Sequence, residues 1–485
     1  MFRKYSHALV TTGALLGMLC AAEEARAADA YRFKTTGAVV DGSWTNRFKY
    51  PANPGWQGSD STYSIPLSGF RKLGQNWTSP VWSMFTGGDT FVGWLNNDTP
   101  RTRWGYVFPG NTISLFNGQG SSASGAHYFK WKGLPFSDSQ FLYQDRDDVA
   151  MVRGGDGWVR WPADGTIVNH GFGGTWLVQF WSVVQPSALD IVDVDVATWG
   201  TGPVNASTNH PYLGNAGGSW NIGPTTNARL APSTGYTGPR VMGAAIMNLA
   251  TDFDAFVKDG FVYVYGFQAA ADASKKRAFV ARALPTELHD STKWRYWTGA
   301  VDATGTPTFP STANSISAAV PMKDTSGNVI QGLASEYSVL QLPNGHFALV
   351  YTEGDGLATY TPGTALPTNP AKIVVRTTTQ AKRSPAGPWG PPVIVYSVNA
   401  PATGNTALGL PNLTTSHPGD VYQIYGSKAH PQYSKREAGT STDGELLISF
   451  NVNSFGLKNA SFNLADVYRP RFVRVRYYKV ANQNQ

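Results

Sequence analysis

Fourteen runs of apolar, β-branched and aromatic residues recur along the chain, each bounded by Gly, Pro, Asn, Asp or Ser clusters. Among them are TYSIPL (62–67), VWSMF (81–85), NTISLF (111–116), TWLVQFWSVV (175–184), FVYVYGF (261–267), HFALVYT (346–352), ELLISFNVN (445–453) and RFVRVRYYKV (471–480). Runs of this length and make-up, punctuated by turn residues, read as strands. LPNG (342–345), KDG (258–260) and STDG (441–444) read as the turns of hairpins. Such a chain buries its apolar residues by pairing strands with strands, so the expected class is all-β. LPTELHD (284–290) is the one convincing short helical piece.

Composition points the same way. The 485 residues include 16 Trp, 22 Tyr and 24 Phe, with 52 Gly and 31 Pro. Aromatic residues favour strands and Gly and Pro favour turns. Aromatic rings can also stack on sugar rings, although most serve cores.

The strands group into five units, near 55–120, 155–200, 240–300, 330–398 and 420–480. Each opens on an apolar strand, turns at Asp or Asn with Gly, and later carries an Arg-bearing strand such as FVARAL, VVRTTT or FVRVRY. Radial repetition of antiparallel sheets is a five-bladed β-propeller. A β-sandwich array or a parallel β-helix is the competing architecture, and frequent hairpins with irregular spacing weigh against the helix. The polar stretches 71–77, 205–227 and 399–419 read as loops rimming one face.

MFRKYSH followed by ALVTTGALLGMLCAA and the small-residue sites ARA (25–27) and ADA (28–30) reads as an export signal over residues 1–27. Residues 28–485 are then expected as one propeller domain, periplasmic or secreted and monomeric. Cys20, the only cysteine, falls in the signal. The net charge of +7 drops to +6 without residues 1–27, because Arg3, Lys4 and Arg26 leave with Glu23 and Glu24. The basic residues form no block, so nucleic-acid binding is not expected, and no later apolar run reaches the length of a membrane-spanning helix, so no membrane span is expected.

The sequence lacks a G-x-S-x-G elbow, an H-E-x-x-H pair and a P-loop. Carboxylates at strand edges remain. Asp60 (QGSDSTYSIPL) precedes one strand and Asp89 (GGDTFVG) follows the next. Antiparallel neighbours bring one strand's start beside the next strand's end, so both can reach the same end of a sheet. Paired carboxylates there suit glycoside hydrolysis, one as acid and one as base or nucleophile. Turn-capping bonds account for either residue equally simply. Asp164 (RWPADGTIV) reads as a D-G turn residue or a substrate contact. Glu336 (ASEYSVLQL) precedes an apolar strand much as Asp60 does, and His430 (YGSKAHPQY) reads as a loop histidine or a channel ligand. Trp94 and Trp104 are candidates for ring stacking, as is Trp82, which suits a core equally well.

DSTYSIPL, FTGGDTFVG and NTISLFNG, followed in order by WPADG, FVARALPTELHDSTKWRYWTG, SEYSVLQLPNGHFALVYT, GPWGPPVIVY and YGSKAHPQY, resemble a family of secreted five-bladed propellers long catalogued as of unknown function. That family looks glycosidase-like and includes endo-D-arabinanases. The resemblance implies a hydrolase of a furanose-containing polysaccharide or cell-wall glycan, with Asp60 and Asp89 as its carboxylate pair. FRKLGQNWTSP (70–80) enlarges the loop between them. No cofactor is expected, a structural Ca²⁺ in the channel being a further idea. The alternative is a non-catalytic glycan-binding or cell-surface propeller.

Overall fold

The computed structural model describes residues 33–50, 55–67, 81–107, 112–118, 125–130, 159–170, 174–185, 190–205, 210–213, 240–250, 258–268, 276–342, 345–353, 371–378, 385–400, 402–436, 444–456 and 458–479. The export segment 1–27, the loop 71–77 and most of 205–227 lie outside the described residues.

The chain opens with strand β1 (Phe33–Val40) and a short helix, α1 (Gly42–Arg47). Asp41 starts that helix by accepting the Trp44 amide at 3.0 Å, an N-cap bond that satisfies one free helix donor. The cap fixes where Trp44 points. Its ring is wholly buried among Phe85, Phe116, Tyr433 and Phe472, with centroids 4.6–6.0 Å away. Truncating a buried ring of this size costs about 3–5 kcal/mol.

Strands β2 (Gly55–Ser59), β3 (Ser64–Pro66), β4 (Val81–Gly87), β5 (Thr90–Leu95), β6 (Arg103–Val107), β7 (Thr112–Gly118) and β8 (Gly125–Lys130) interleave two sheets, β3-β4-β7-β8 and β2-β5-β6. The next sheets follow chain order. They are β9 (Val159–His170) to β12 (His210–Leu213), β13 (Arg240–Asn248) to β16 (Arg295–Tyr296), and β17 (Leu333–Gln341) to β20 (Val393–Val398). In the last sheet β21 (Val421–Ala429) pairs with β23 (Gly444–Phe455), which pairs with β24 (Arg469–Lys479). β1 joins the outside of β24, Phe33 opposite Lys479, and so brings the first and last described strands into one sheet. The described chain is thus mostly antiparallel β-sheet with a few short helices.

The first strands of successive sheets touch in series: β3 with β9, β9 with β13, β13 with β17, and β17 with β21. Neighbouring sheets therefore share apolar layers. One continuous core runs from Val178 and Phe180 through Ile246, Val264 and Phe279 to Tyr337 and Leu349. Such strands are covered on both faces, which is why FVYVYGF carries no clean polar alternation.

Two expectations change. RWPADGTIV is no turn, since residues 160–168 run inside the twelve-residue strand β9. Residues 402–419, read as part of a polar loop, contain short helical turns and buried leucines. Asn405 and Asn412 accept the amides of Leu408 and Thr414 at 3.1 and 2.9 Å, and Leu408, Leu410 and Leu413 are buried. LPTELHD does form a turn of 3-10 helix at Pro285–Glu287.

Candidate functional site

Asp60 and Asp89 sit at two of the three places where the chain crosses between the same pair of sheets. Asp60 lies in the passage from β2 to β3 and Asp89 in the passage from β4 to β5. Ser59 pairs with Thr90 in one sheet and Ser64 with Phe85 in the other, so the crossings run side by side. The Gly88 amide donates to the Asp60 carbonyl at 2.9 Å and ties them together. Gly88 has to be glycine-sized, because a Cβ there would stand 2.1 Å from Asp60 Oδ1. The Asp60 carboxyl thus lies against the turn that carries Asp89.

Around this pair, strand irregularities supply further groups. Across its register break β9 has one residue more than its partner, β13 two more, β17 two more and β21 one more. A bulge of this kind re-aims side chains that a regular pleat would turn away. In β21, Tyr425 and Lys428 are three apart and would face opposite sides of a regular strand. The extra residue returns them to one side, with Gly426 in the left-handed region at φ +63°. Tyr425 Oη then donates to Asp60 Oδ2 at 2.9 Å. Lys428 Nζ pairs with Glu336 Oε2, and Ser61 Oγ donates to Glu336 Oε1 at 2.5 Å. Trp161 of β9 donates its indole N–H to Asp89 Oδ1 at 3.1 Å.

The two aspartates differ electrically. Burial pushes the Asp60 carboxyl up to about 8, helped by the charges of Asp89 and Glu336 and opposed by the hydroxyls of Tyr425 and Tyr468. Burial also pushes Asp89 up, to about 6, with the Trp161 hydrogen bond pulling it down. Both carboxyls therefore keep a proton to higher pH than usual, and Asp60, which also feels the charges of Asp89 and Glu336, is raised the more. A carboxylic acid next to a carboxylate is the state acid/base chemistry requires.

Of the other sequence candidates, Glu336 joins the cluster and Asp164 and His430 do not present themselves to a ligand. Asp164 is 3% exposed, and its oxygens accept the amides of Gly165 at 2.8 Å and Ile246 at 2.7 Å, which binds the β9 bulge to β13. His430, read as either a loop histidine or a channel ligand, is wholly buried between Ser64 Oγ at 2.6 Å and Ser449 Oγ at 2.8 Å, the hydrogen-bonded reading rather than the ligand one. Both brace the fold, because both lie where first strands meet and backbone or hydroxyl groups need partners. Trp94 and Trp104 form a tilted pair, centroids 5.7 Å apart, on β5 and β6, and Trp104 is 64% exposed. Trp82 packs against an apolar cluster around Ile65 and Leu115.

Sequence reasoning missed Ser61, Trp161, Tyr425, Lys428 and Tyr468. The glycine inside VYQIYGSKAH was the available signal, since a glycine within a strand pattern marks a bulge. Among the described residues no three His, Cys, Asp or Glu side chains group as they would around a metal ion, and no helix is long and apolar enough to cross a membrane.

A crystal structure of a candidate hydrolase from Bacteroides ovatus ATCC 8483 matches 90% of this chain with 90% of its own, at TM-score 0.53 and 17% identity, which shows a shared fold. Weaker matches are levansucrase from Bacillus subtilis (TM-score 0.39, 10% identity, 89% of this chain and 87% of that one) and an α-L-arabinofuranosidase from Podospora anserina (TM-score 0.34, 10% identity, 93% and 97%). No curated protein matches the chain. A family model spans residues 45–478, and the chain belongs to that family, described as Domain of unknown function (DUF5005).

Proposed function

We propose that this protein is a glycoside hydrolase built on a five-bladed β-propeller. The β3, β9, β13, β17 and β21 sheets are the blades, and their first strands line the centre. Residues 28–485 form that one domain, residues 1–27 direct export to the periplasm or beyond, and the substrate is a furanose-containing polysaccharide such as an arabinan. The observation that carries this reading is the pairing of Asp60 with Asp89 on adjoining crossings, where both carboxyls are raised and the charge of Asp89 acts on Asp60.

Asp60 is the acid. It gives its proton to the glycosidic oxygen as the bond from the anomeric carbon breaks. Asp89 is the base or nucleophile, either taking a proton from the attacking water or attacking the anomeric carbon itself. A carboxyl separation of roughly 5 Å suits retention and roughly 6.5–9.5 Å suits inversion. Tyr425, Tyr468 and Trp161 hold the two carboxyls by hydrogen bonds, and Glu336 raises the proton affinity of Asp60. Trp94 and Trp104 offer a stacking surface to a sugar ring beyond the bond being cut.

The test is product analysis on a panel of D- and L-arabinans, fructans and galactans. Release of oligosaccharides or free sugar from a furanose-containing glycan supports the reading. The exposed Trp104 also suits a protein that binds glycans without cutting them. Binding on a glycan array with no turnover on any panel member selects that alternative.

A further inference from the structure

Lys428 reaches the Asp60 segment along two separate routes. It is 1% exposed, so its ammonium is held by partners rather than by water. On one side Nζ pairs with Glu336 Oε2, while Glu336 Oε1 accepts Ser61 Oγ at 2.5 Å. On the other side Nζ lies 4.0 Å from the centre of the Tyr63 ring, a cation–π contact. Tyr63 Oη is itself fixed to the Ala244 carbonyl at 3.0 Å, in the bulge of β13.

Between these anchors the chain is bent. Ser61 sits in the left-handed region at φ +51°, a position that costs a residue with a side chain about 1–2 kcal/mol and persists only where surroundings hold it. Its carbonyl accepts Thr86 Oγ1 at 2.6 Å and the Tyr63 amide at 2.9 Å, which secures the next residues. The Ser61 side chain is secured through Glu336. Glu336 in turn reaches inward because β17 is bulged, and Lys428 because β21 is bulged. Gly426 leaves the room: a Cβ there would come within 2.7 Å of Glu336 Oε2.

We propose that Lys428 is a positioning residue of the carboxylate site, clamping Glu336 against Ser61 and bearing on Tyr63 so that residues 60–63 present the Asp60 carboxyl to Asp89. It touches no reacting atom. It acts from the last sheet on a segment of the first, and so couples the shape of the site to the junction between them.

Amide hydrogen exchange tests this without any substrate. The amides of Tyr63, Thr86 and Gly88 are bonded within or onto the bent segment. In Lys428→Met they are expected to exchange about tenfold faster or more, while those of β14 (Val262–Gln268) and β18 (Phe347–Glu353) keep their rates. Lys428→Met also leaves the Glu336 carboxylate without its ion-pair partner in a largely buried place, which destabilises. The double variant Lys428→Met/Glu336→Gln removes that charge and is expected to show the same local loosening in a folded protein. Unchanged exchange at those three amides in either folded variant overturns the proposal, as does acceleration spread evenly through β21 and β23. The activity arm rests on the hydrolase reading: on a glycan that the wild type cleaves, kcat is expected to fall about 100-fold with KM within about threefold. A wild type that cleaves nothing removes the hydrolase reading and leaves the exchange result to decide the role of Lys428.

Discussion

Tyr425 donates its hydroxyl proton to Asp60 Oδ2 across 2.9 Å, joining the last sheet to the first crossing. The bond favours the ionised carboxyl and so opposes the burial that pushes Asp60 up. Tyr425→Phe removes it. Asp60 then keeps its proton to higher pH, and the alkaline limb of the pH–rate profile moves upward, with the plateau rate changed by no more than about tenfold. A limb that moves downward contradicts the assignment of Asp60 as the acid.

With Asp60 near 8 and Asp89 near 6, the rate is expected to be bell-shaped, highest between those values. The stability consequence has a definite sign. Asp60 titrates in the folded protein above its ordinary value of 3.8, so the folded state binds more protons than the unfolded one between 3.8 and about 8. Stability is therefore fully present below 3.8 and is lost as pH rises through 8. Asp60→Asn abolishes that loss. Thermal melts of the two proteins should diverge by a few degrees at pH 9, the variant being the more stable, and should converge at pH 4.

Gly88 bears on Asp60 by contact alone. Its backbone is ordinary, but an added Cβ would press on Asp60 Oδ1 at 2.1 Å and meet Ser61 Oγ at 3.0 Å. Gly88→Ala is expected to cost about 1–3 kcal/mol in a urea titration, as overpacking does, and to lower kcat at least about 100-fold by turning the Asp60 carboxyl aside. Wild-type kcat in this variant shows that the carboxyl does not need its place over the Asp89 turn.

Trp104 is 64% exposed, so its removal costs little packing. Trp104→Ala should leave the melting temperature unchanged and raise KM about 5–10-fold at constant kcat, the pattern of lost substrate binding shared by ground and transition states. Steady-state kinetics on a soluble oligosaccharide separates this from a change in kcat, which would place Trp104 closer to the chemistry.

The sequence carried the strands and the carboxylate pair better than it carried their supports. Apolar runs such as FVYVYGF and HFALVYT are strands in the structure because β-branched and aromatic residues have few other places to pack. Asp60 and Asp89 were findable because turn logic in antiparallel sheets is local. Asp164 misled: D-G is a turn signal in isolation, and here the bulge in β9 absorbs it while the Ile246 amide, eighty-two residues away, takes the carboxylate. His430 stayed open between two readings because nothing near it in sequence announces Ser64 and Ser449. Lys428 and Tyr425 escaped because period-two alternation puts them on opposite faces, and a single extra residue reverses that. Strands β5 and β6 are short and interrupted by Gly93 and Gly105, so they escaped the strand reading despite their Thr, Phe, Val, Trp and Tyr, yet they carry Asp89's turn and the exposed tryptophan.

The central claim is that Asp60 and Asp89 act as one acid/base pair on a glycosidic bond. Turnover by Asp60→Asn and by Asp89→Asn, measured as reducing ends released from the glycan that the wild type cleaves best, tests it most directly. Each variant is expected to lose about 10²–10⁴-fold in kcat while still folded. Undiminished turnover in both would contradict the claim.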